Sequence, residues 1–261
     1  MGFNRVKECR FGTMLYNVHD KYVGRSLELY GEFSFGESEV FRQLARPKDI
    51  VVEVGANIGA HTLQLARLVG PTGVIHAFEP QRISFQTLCA NMALNSIAHA
   101  HCYHQAVGRE PGTVVVSQLD PEVVNNFGGL TMRRDGPGER ITQVTVDSLE
   151  LPGCRLIKVD VEGMEQEVIE GAAATIHRYR PYLYVENDRL SNSDSLIRCI
   201  AGLDYDLYWH KPLLFNPHNF LKNPENVFGS ILSLNLLCVP RGRGVVIQGY
   251  TPVQREETSD D

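Results

Sequence analysis

The chain has 261 residues, 43% of them hydrophobic and 21% charged, with a formal net charge of −6. That composition excludes a disordered chain, a fibre and a small disulfide-stapled scaffold, and it leaves enough apolar residues to build the core of about one to two domains. The acidic balance speaks against a long basic surface, so nucleic acid is not expected as a partner.

Residues before about Lys48 read as an N-terminal extension (1–47) packing on the core, with a hairpin and a helix over Ser38–Ala45. Ile50–Val54 reads as a buried strand. Gly59–Val69 reads as the helix after it, with Leu63, Ala66 and Leu68 apolar and Gly70-Pro71 ending it. Val74–Phe78 is a second strand, Ile83–Leu94 a second helix and Cys102–Val107 a third strand. Short apolar runs alternating with helical periods signal βαβ units and a parallel sheet. Thr113–Val116 and Ile141–Val146 are rich in β-branched residues, and the Asn- and Gly-rich stretch between them reads as a loop, which gives an inserted hairpin over residues 112–146. Leu156–Val159 is the next buried strand. A helix over Met164–Arg178 follows, with Met164, Val168, Ile169 and Ala172 on one face. Tyr182–Val185 is a strand, Ser193–Ala201 a helix, Tyr205–Trp209 a strand and Ile231–Val239 the final strand. The Gly-, Asn- and Pro-rich stretch Pro212–Gly229 lies in a C-terminal loop over residues 211–229, and loops of that length are usually functional or disordered. Residues 48–250 thus read as a single domain and 251–261 as an acidic tail.

The six cysteines are scattered singly, with no C-x-x-C spacing. They read as reduced thiols in a reducing cytosol. No apolar leader opens the sequence and no run of ~20 apolar residues occurs, so a cytoplasmic protein without a signal peptide or membrane span is expected.

The chemistry gathers after the first strand of the domain. The segment Glu53-Val-Gly55-Ala56-Asn57-Ile-Gly59 links a strand to a helix. Glycines there let a ligand approach the backbone, and free N–H groups point outward at the helix start. Glu79 lies ~20 residues past Gly59, at the end of the second strand, where a carboxylate can accept both hydroxyls of a ribose. Dinucleotides and S-adenosylmethionine both suit such a loop. A dinucleotide requires a second glycine to make room for its pyrophosphate, and Asn57 occupies that position. S-adenosylmethionine requires instead room for a carboxylate and an acidic neighbour for its ammonium and sulfonium. Glu53 offers the acid, and Thr62 on the first helical turn stands where it could hydrogen-bond the carboxylate. S-adenosylmethionine is the favoured cofactor; a dinucleotide, or a plain glycine turn beside a surface glutamate, are the alternatives.

The runs VVEVGANIGAHTL, HAFEPQ, TVDSL and LIKVDVEGMEQEVIEGA occur in that order. Together they resemble the FkbM family of S-adenosylmethionine-dependent methyltransferases, from about Tyr30 to about Glu186. The resemblance implies an α/β class I methyltransferase fold, Rossmann-like, with helices on both faces of a seven-stranded, mostly parallel sheet whose last strand is antiparallel. It implies O-methylation of a hydroxyl on a sugar, glycoconjugate or polyketide-like small molecule, and hence a small-molecule or glycan acceptor. Carried over by position, Glu53, Gly55, Ala56, Asn57 and Gly59 line the cofactor loop and Glu79 holds the ribose. Gln105 and Ala106 face the adenine, Asp160 sits beside the methyl group, and Gly31-Glu32-Phe33-Ser34 covers the methionine end.

Methyl transfer is an in-line displacement at carbon, so the nucleophile must be held opposite the sulfur. A neutral alcohol is a poor nucleophile and requires a base or a metal ion. Carboxylates stand at the predicted ends of two strands: Asp160, with Glu162 beyond it, and Glu186, followed by Asn187 and Asp188. In open α/β sheets these ends face the ligand crevice. Asp160, Glu186 and Asn187 resemble the metal site of catechol-type O-methyltransferases, with Glu186 where that pattern carries Asp. Oxygen ligands of this kind suit Mg²⁺ or another hard divalent cation. The metal-free route uses Asp160, Glu186 or His210 as base; a hydrogen-bonded loop histidine is the competing account of His210, and a charge favourable at a helix N-terminus that of Glu162. Asn125, Asn126 and Phe127 in one loop, and Asn216 and Trp209 around the other, offer amides and aromatic faces suited to a sugar ring, although Asn also favours turns for its own reasons. The expected activity is O-methylation. N-methylation on the same scaffold is the runner-up, ahead of a dinucleotide oxidoreductase, and a non-catalytic S-adenosylmethionine-binding scaffold subunit is the reading from another class.

Overall fold

Runs of branched apolar residues too hydrophobic for a surface build the centre of the sheet, where both faces are covered. The computed structural model describes residues 2–129, 132–243 and 248–254. The chain opens with a hairpin, β1 (Asn4–Cys9) and β2 (Gly12–Asn17), then two helices, α1 (Val23–Tyr30) and α2 (Phe35–Leu44). Next come β3 (Ile50–Val54), α3 (Ala60–Val69), β4 (Val74–Phe78), α4 (Arg82–Leu94) and β5 (Ala100–Tyr103). Three strands of the insertion follow, β6 (Ala106–Val107), β7 (Gly112–Val116) and β8 (Glu139–Val144). The second half holds β9 (Leu156–Val159), α5 (Glu165–Glu170), α6 (Ala173–Tyr179), β10 (Tyr182–Glu186), α7 (Leu190–Gly202), β11 (Tyr205–His210), β12 (Asn235–Pro240) and β13 (Thr251–Pro252).

The main sheet has the order β13-β11-β12-β10-β9-β3-β4-β5. Strands β3, β4, β5, β9 and β10 are mutually parallel, and β12 runs antiparallel to both β10 and β11. The seven strands expected, with the last antiparallel, are therefore present; β13 adds two residues at the edge. Alternation along each strand splits the core in two. Val51, Leu156 and Tyr184 face Leu27, Phe41 and Leu63 on one side. Val52, Ile157 and Val185 face Val168, Ile176 and Leu196 on the other.

Four expectations are corrected. The strand expected over Cys102–Val107 is two strands in two sheets, because Ala106 and Val107 pair with Gln143 and Val144 of β8 rather than continuing along β4. The helix expected over Met164–Arg178 breaks at Gly171. A Cβ there would lie 2.0 Å from the Gly108 carbonyl oxygen, and the Gly171 carbonyl accepts the Asp147 N–H at 3.1 Å. The Asp147 carboxylate then accepts the N–H groups of Ala174 and Thr175 at 2.9 and 2.8 Å, capping a second helix. The last strand starts at Asn235, not Ile231, and an additional helix, α1, precedes the expected one. Of the expected acidic tail, Thr251 and Pro252 pair with Trp209 and Tyr208 of β11, while residues 255–261 lie outside the described residues. Among the described residues no helix is long and apolar enough to cross a membrane.

Candidate active site

A cavity of about 330 Å³ opens over the C-terminal ends of β3, β4, β9 and β10. Its floor is the turn after β3, where Gly55 has φ +83° and a Cβ would lie 1.8 Å from the Asp160 carbonyl oxygen. The glycine is therefore required by the protein's own backbone, which passes too close for a side chain. Gly55, Ala56 and Asn57 reach the cavity wall, whereas Gly59 does not.

At one end, Glu79 follows β4. Its carboxylate accepts the backbone N–H of Asn57 through Oε2 and that of Gln81 through Oε1, each at 2.8 Å. Burial pushes its pKa up to about 7 against those two donors. Two lone pairs remain on oxygens held rigidly at the wall. Val116, Phe127 and Met132 supply apolar surface beside it. Gln105 and Ala106, expected at this end, are not on the wall: Ala106 packs among Val114, Val116 and Ile141, because β6 belongs to the inserted sheet. The Oδ1 of Asn57 is buried and has no partner, which leaves an acceptor for a polar group of a ligand.

The centre holds a chain of charged groups. Lys158, 2% exposed, lies 3.8 Å from Glu53 Oε1 and donates to Asp160 Oδ2 at 3.2 Å. Thr62 Oγ1 donates to Glu53 Oε2 at 2.6 Å. The contact expected between Thr62 and a ligand carboxylate does not fit this position, since its hydroxyl is enclosed and committed to Glu53. Burial pushes Glu53 up to about 7 although Lys158 and Thr62 oppose it. Burial also works against Asp160, but the Lys158 ammonium and a hydrogen bond from Glu186 outweigh it and hold Asp160 below the usual carboxylate range. Glu186 takes the opposite course: burial, then the Asp160 charge, push it up to about 11. The two carboxyls thus share one proton, with Glu186 held up and Asp160 held down, as expected for two carboxyls in one site.

This arrangement predicts the effect of Glu186→Gln. A folded pKa above the ordinary 4.5 means that the Glu186 contribution to stability is present below about pH 4.5 and is lost as pH rises towards 11. The amide keeps the donor to Asp160 and removes the titration. The urea midpoint of the ligand-free variant is expected to exceed that of the parent at pH 8, by a margin that shrinks in acid. A margin independent of pH would contradict the shared proton.

Several residues expected here are elsewhere. Asn187 follows Glu186 directly, so its side chain points to the opposite face and donates to Ser193 Oγ at 2.8 Å. The three ligands expected for a metal ion, Asp160, Glu186 and Asn187, therefore do not converge. Oxygens of Glu162, Glu186 and Asp188 do lie within 4.8 Å of one another, but Arg189 sits on Glu162 and, through Nε, 3.5 Å from Asp188 Oδ1, offsetting part of that cluster's charge. His210 is off the cavity: its Nδ1 is 2.7 Å from the Tyr184 hydroxyl, and burial lowers its pKa to about 4. Trp209 alternates to the other face, packs on the second core and carries Lys211 over its ring. Asn126 and Phe127 line the cavity, whereas Asn125 does not; Asn125 Oδ1 accepts the Asn126 N–H, and its backbone pairs with His19 and Lys21. Asn216 donates to Glu32 Oε1 at 2.8 Å, a contact that ties the C-terminal loop to the N-terminal helices. Glu32 Oε2 also accepts the Phe220 N–H at 2.9 Å, and Tyr30 packs with Leu214 and Phe228. Together these segments cover the cavity, with Phe33, Leu214 and Ile231–Leu234 on its wall. Glu37 and His61, on α2 and α3, also reach the wall without having been singled out beforehand.

The family described as Methyltransferase FkbM domain matches residues 53–205. A protein of Beauveria bassiana named Methyltransferase 1 is 28% identical over 144 residues, 46% of this chain and 57% of the relative. The hexuronic acid methyltransferase AglP of Haloferax volcanii is 28% identical over 158 residues, 52% of this chain and 56% of the relative. The chain therefore spans a little over half the length of these curated relatives. The crystal structure of an S-adenosylmethionine-dependent O-methyltransferase from Thermotoga maritima superposes with a TM-score of 0.50 at 10% identity, over 98% of this chain and 80% of that one, a likeness of fold alone.

Proposed function

The chain belongs to the FkbM methyltransferase family, and on that premise we propose that it transfers the methyl group of S-adenosylmethionine to a hydroxyl of a sugar, a glycoconjugate or a polyketide-like small molecule. The residues present fit the donor: rigid carboxylate oxygens on Glu79 for the ribose hydroxyls, apolar faces on Val116, Phe127 and Met132 for the base, and the unpartnered Asn57 oxygen. When bound, S-adenosylmethionine supplies a methyl group on a positively charged sulfur, an electrophile whose departure requires no acid.

The observation that carries the O-methylation reading is the unequal carboxyl pair. A hydroxyl must lose its proton as it forms the new bond to carbon, and that proton requires an ionised acceptor nearby. Asp160 is that acceptor. Lys158 holds it ionised, and the protonated Glu186 orients it from the other side. His210 does not reach the cavity and cannot serve as base. The name of the Haloferax relative supports an acceptor of the sugar class.

A divalent ion has no part in this reading, because Asn187 faces away and Arg189 already occupies the neighbouring carboxylates Glu162 and Asp188. Turnover measured as S-adenosylhomocysteine release is expected to be the same with and without exhaustive chelation; a loss restored by Mg²⁺ would require a different account of the centre. The acceptor class is tested with a panel of sugar and polyketide alcohols and their matched amines. Release of S-adenosylhomocysteine with alcohols is the expected result, and methylation of amines alone would replace O-methylation with N-methylation.

A further inference from the structure

Helices α2 and α3 send Glu37 and His61 to one end of the cavity. Each is 5% exposed. Neither ring nitrogen of His61 has a hydrogen-bond partner, and its Nε2 stops 3.7 Å from Glu37 Oε2, too far for a hydrogen bond. The ring is held by packing instead, edge-on to Phe41 with centroids 5.2 Å apart and tilted against Phe33 at 5.6 Å. Burial lowers the imidazole pKa to about 3. It therefore stays neutral, with one N–H to donate and one lone pair to accept. Glu37 is fixed by Ser34 Oγ, which donates to Oε1 at 2.7 Å, and by the Ser233 hydroxyl.

Buried polar groups in folded proteins are almost always hydrogen-bonded. The two ring nitrogens of His61, left without partners beside the cavity, match polar groups that arrive with a ligand. Among the described residues on this wall, the Lys or Arg side chain is that of Lys158, and it is spent on Glu53 and Asp160. An incoming ligand therefore finds, side by side, one neutral N–H donor and one carboxyl whose pKa burial raises and which an arriving ammonium would hold ionised. That combination is complementary to an ammonium next to a carboxylate.

We infer that Glu37 and His61 seat an α-amino acid group, the Glu37 carboxylate accepting the ammonium and the His61 N–H donating to the carboxylate, so that the pair reads the amino acid tail of the methyl donor. The inference rests on the donor assigned above. It separates S-adenosylhomocysteine, which has the tail, from 5′-methylthioadenosine, which keeps the nucleoside and thioether without it.

Calorimetric titration of both ligands into the parent, His61→Ala, Glu37→Gln and Glu79→Ala provides the test, with thermal unfolding of each variant as the check on folding. His61→Ala and Glu37→Gln are expected to weaken S-adenosylhomocysteine by about tenfold or more and 5′-methylthioadenosine by less than about twofold. Glu79→Ala is expected to weaken both. Equal losses for the two ligands in the His61 and Glu37 variants, or no loss for S-adenosylhomocysteine, would overturn the inference. If His61→Ala does not fold, the isosteric Glu37→Gln decides alone. A parent that binds neither ligand would remove the donor assignment and this inference together. An unaffected Glu79→Ala beside tail-selective losses would remove only the ribose role of Glu79.

Discussion

Lys158→Met is expected to cost about 3–5 kcal/mol of folding stability near neutral pH, the usual penalty for removing one partner of a buried ion pair. The ammonium is enclosed between Glu53 and Asp160, and the methionine fills the space without supplying charge. Glu53 would then be left enclosed with only Thr62 to stabilise it, whereas Asp160, whose side chain is 40% exposed, would keep solvent and Glu186. The pH dependence has a definite sign. Asp160 in the parent titrates below its ordinary 3.8, so its contribution is present above that value and is lost as pH falls through the depressed one. The gap between parent and variant should therefore be widest near neutrality and close in acid. Urea unfolding from about pH 3 to about pH 8 measures it, and a variant as stable as the parent at neutral pH would mean that Lys158 contributes volume and not charge.

Glu79→Ala is expected to weaken S-adenosylhomocysteine by about a hundredfold while the protein stays folded. Each hydrogen bond from a ribose hydroxyl to a charged acceptor is worth about 1.5–3 kcal/mol, and a hundredfold corresponds to about 2.7 kcal/mol. Truncation removes the acceptor of the Asn57 and Gln81 N–H groups as well, so the floor of the cavity loses its rigidity along with its charge. Water entering the cavity can take over those two donors, which limits the cost to the fold. Calorimetry gives the affinity and urea unfolding the stability. An unchanged affinity would remove Glu79 from the binding site.

Strands Ile50–Val54, Val74–Phe78 and Leu156–Val159 were legible to the residue, because a strand covered on both faces is mostly apolar, and one polar residue in each, Glu53, His76 or Lys158, does not mask the run. Four carboxylates of the site, Glu53, Glu79, Asp160 and Glu186, were legible for a related reason: each stands at or just beyond the C-terminal end of such a strand, and in this class of sheet those ends open on the ligand. Asn187 was misplaced although alternation could have placed it, since it is next in sequence to Glu186, with which it was grouped, and adjacent residues of a strand face opposite ways. His210 and Asn216 failed for another reason, since long-range partners, Tyr184 and Glu32, claim their polar atoms. Glu37 and His61 were invisible because they come from helices, and which side of a helix meets a cavity is decided by tertiary packing and not by local pattern. The break at Gly171 was likewise hidden, since it depends on the approach of Gly108 from 63 positions earlier in the chain.

The contact between Glu32 and Asn216 has a consequence for exchanging parts among relatives. The cover of the cavity is woven from two stretches, residues 30–34 and 214–234, that both fall outside residues 53–205. A chimaera that imports one stretch alone would leave the buried Glu32 carboxylate without its amide partner and would open the Tyr30–Phe228 packing. Exchanging this cover with that of a relative therefore calls for both stretches to be transplanted from the same parent.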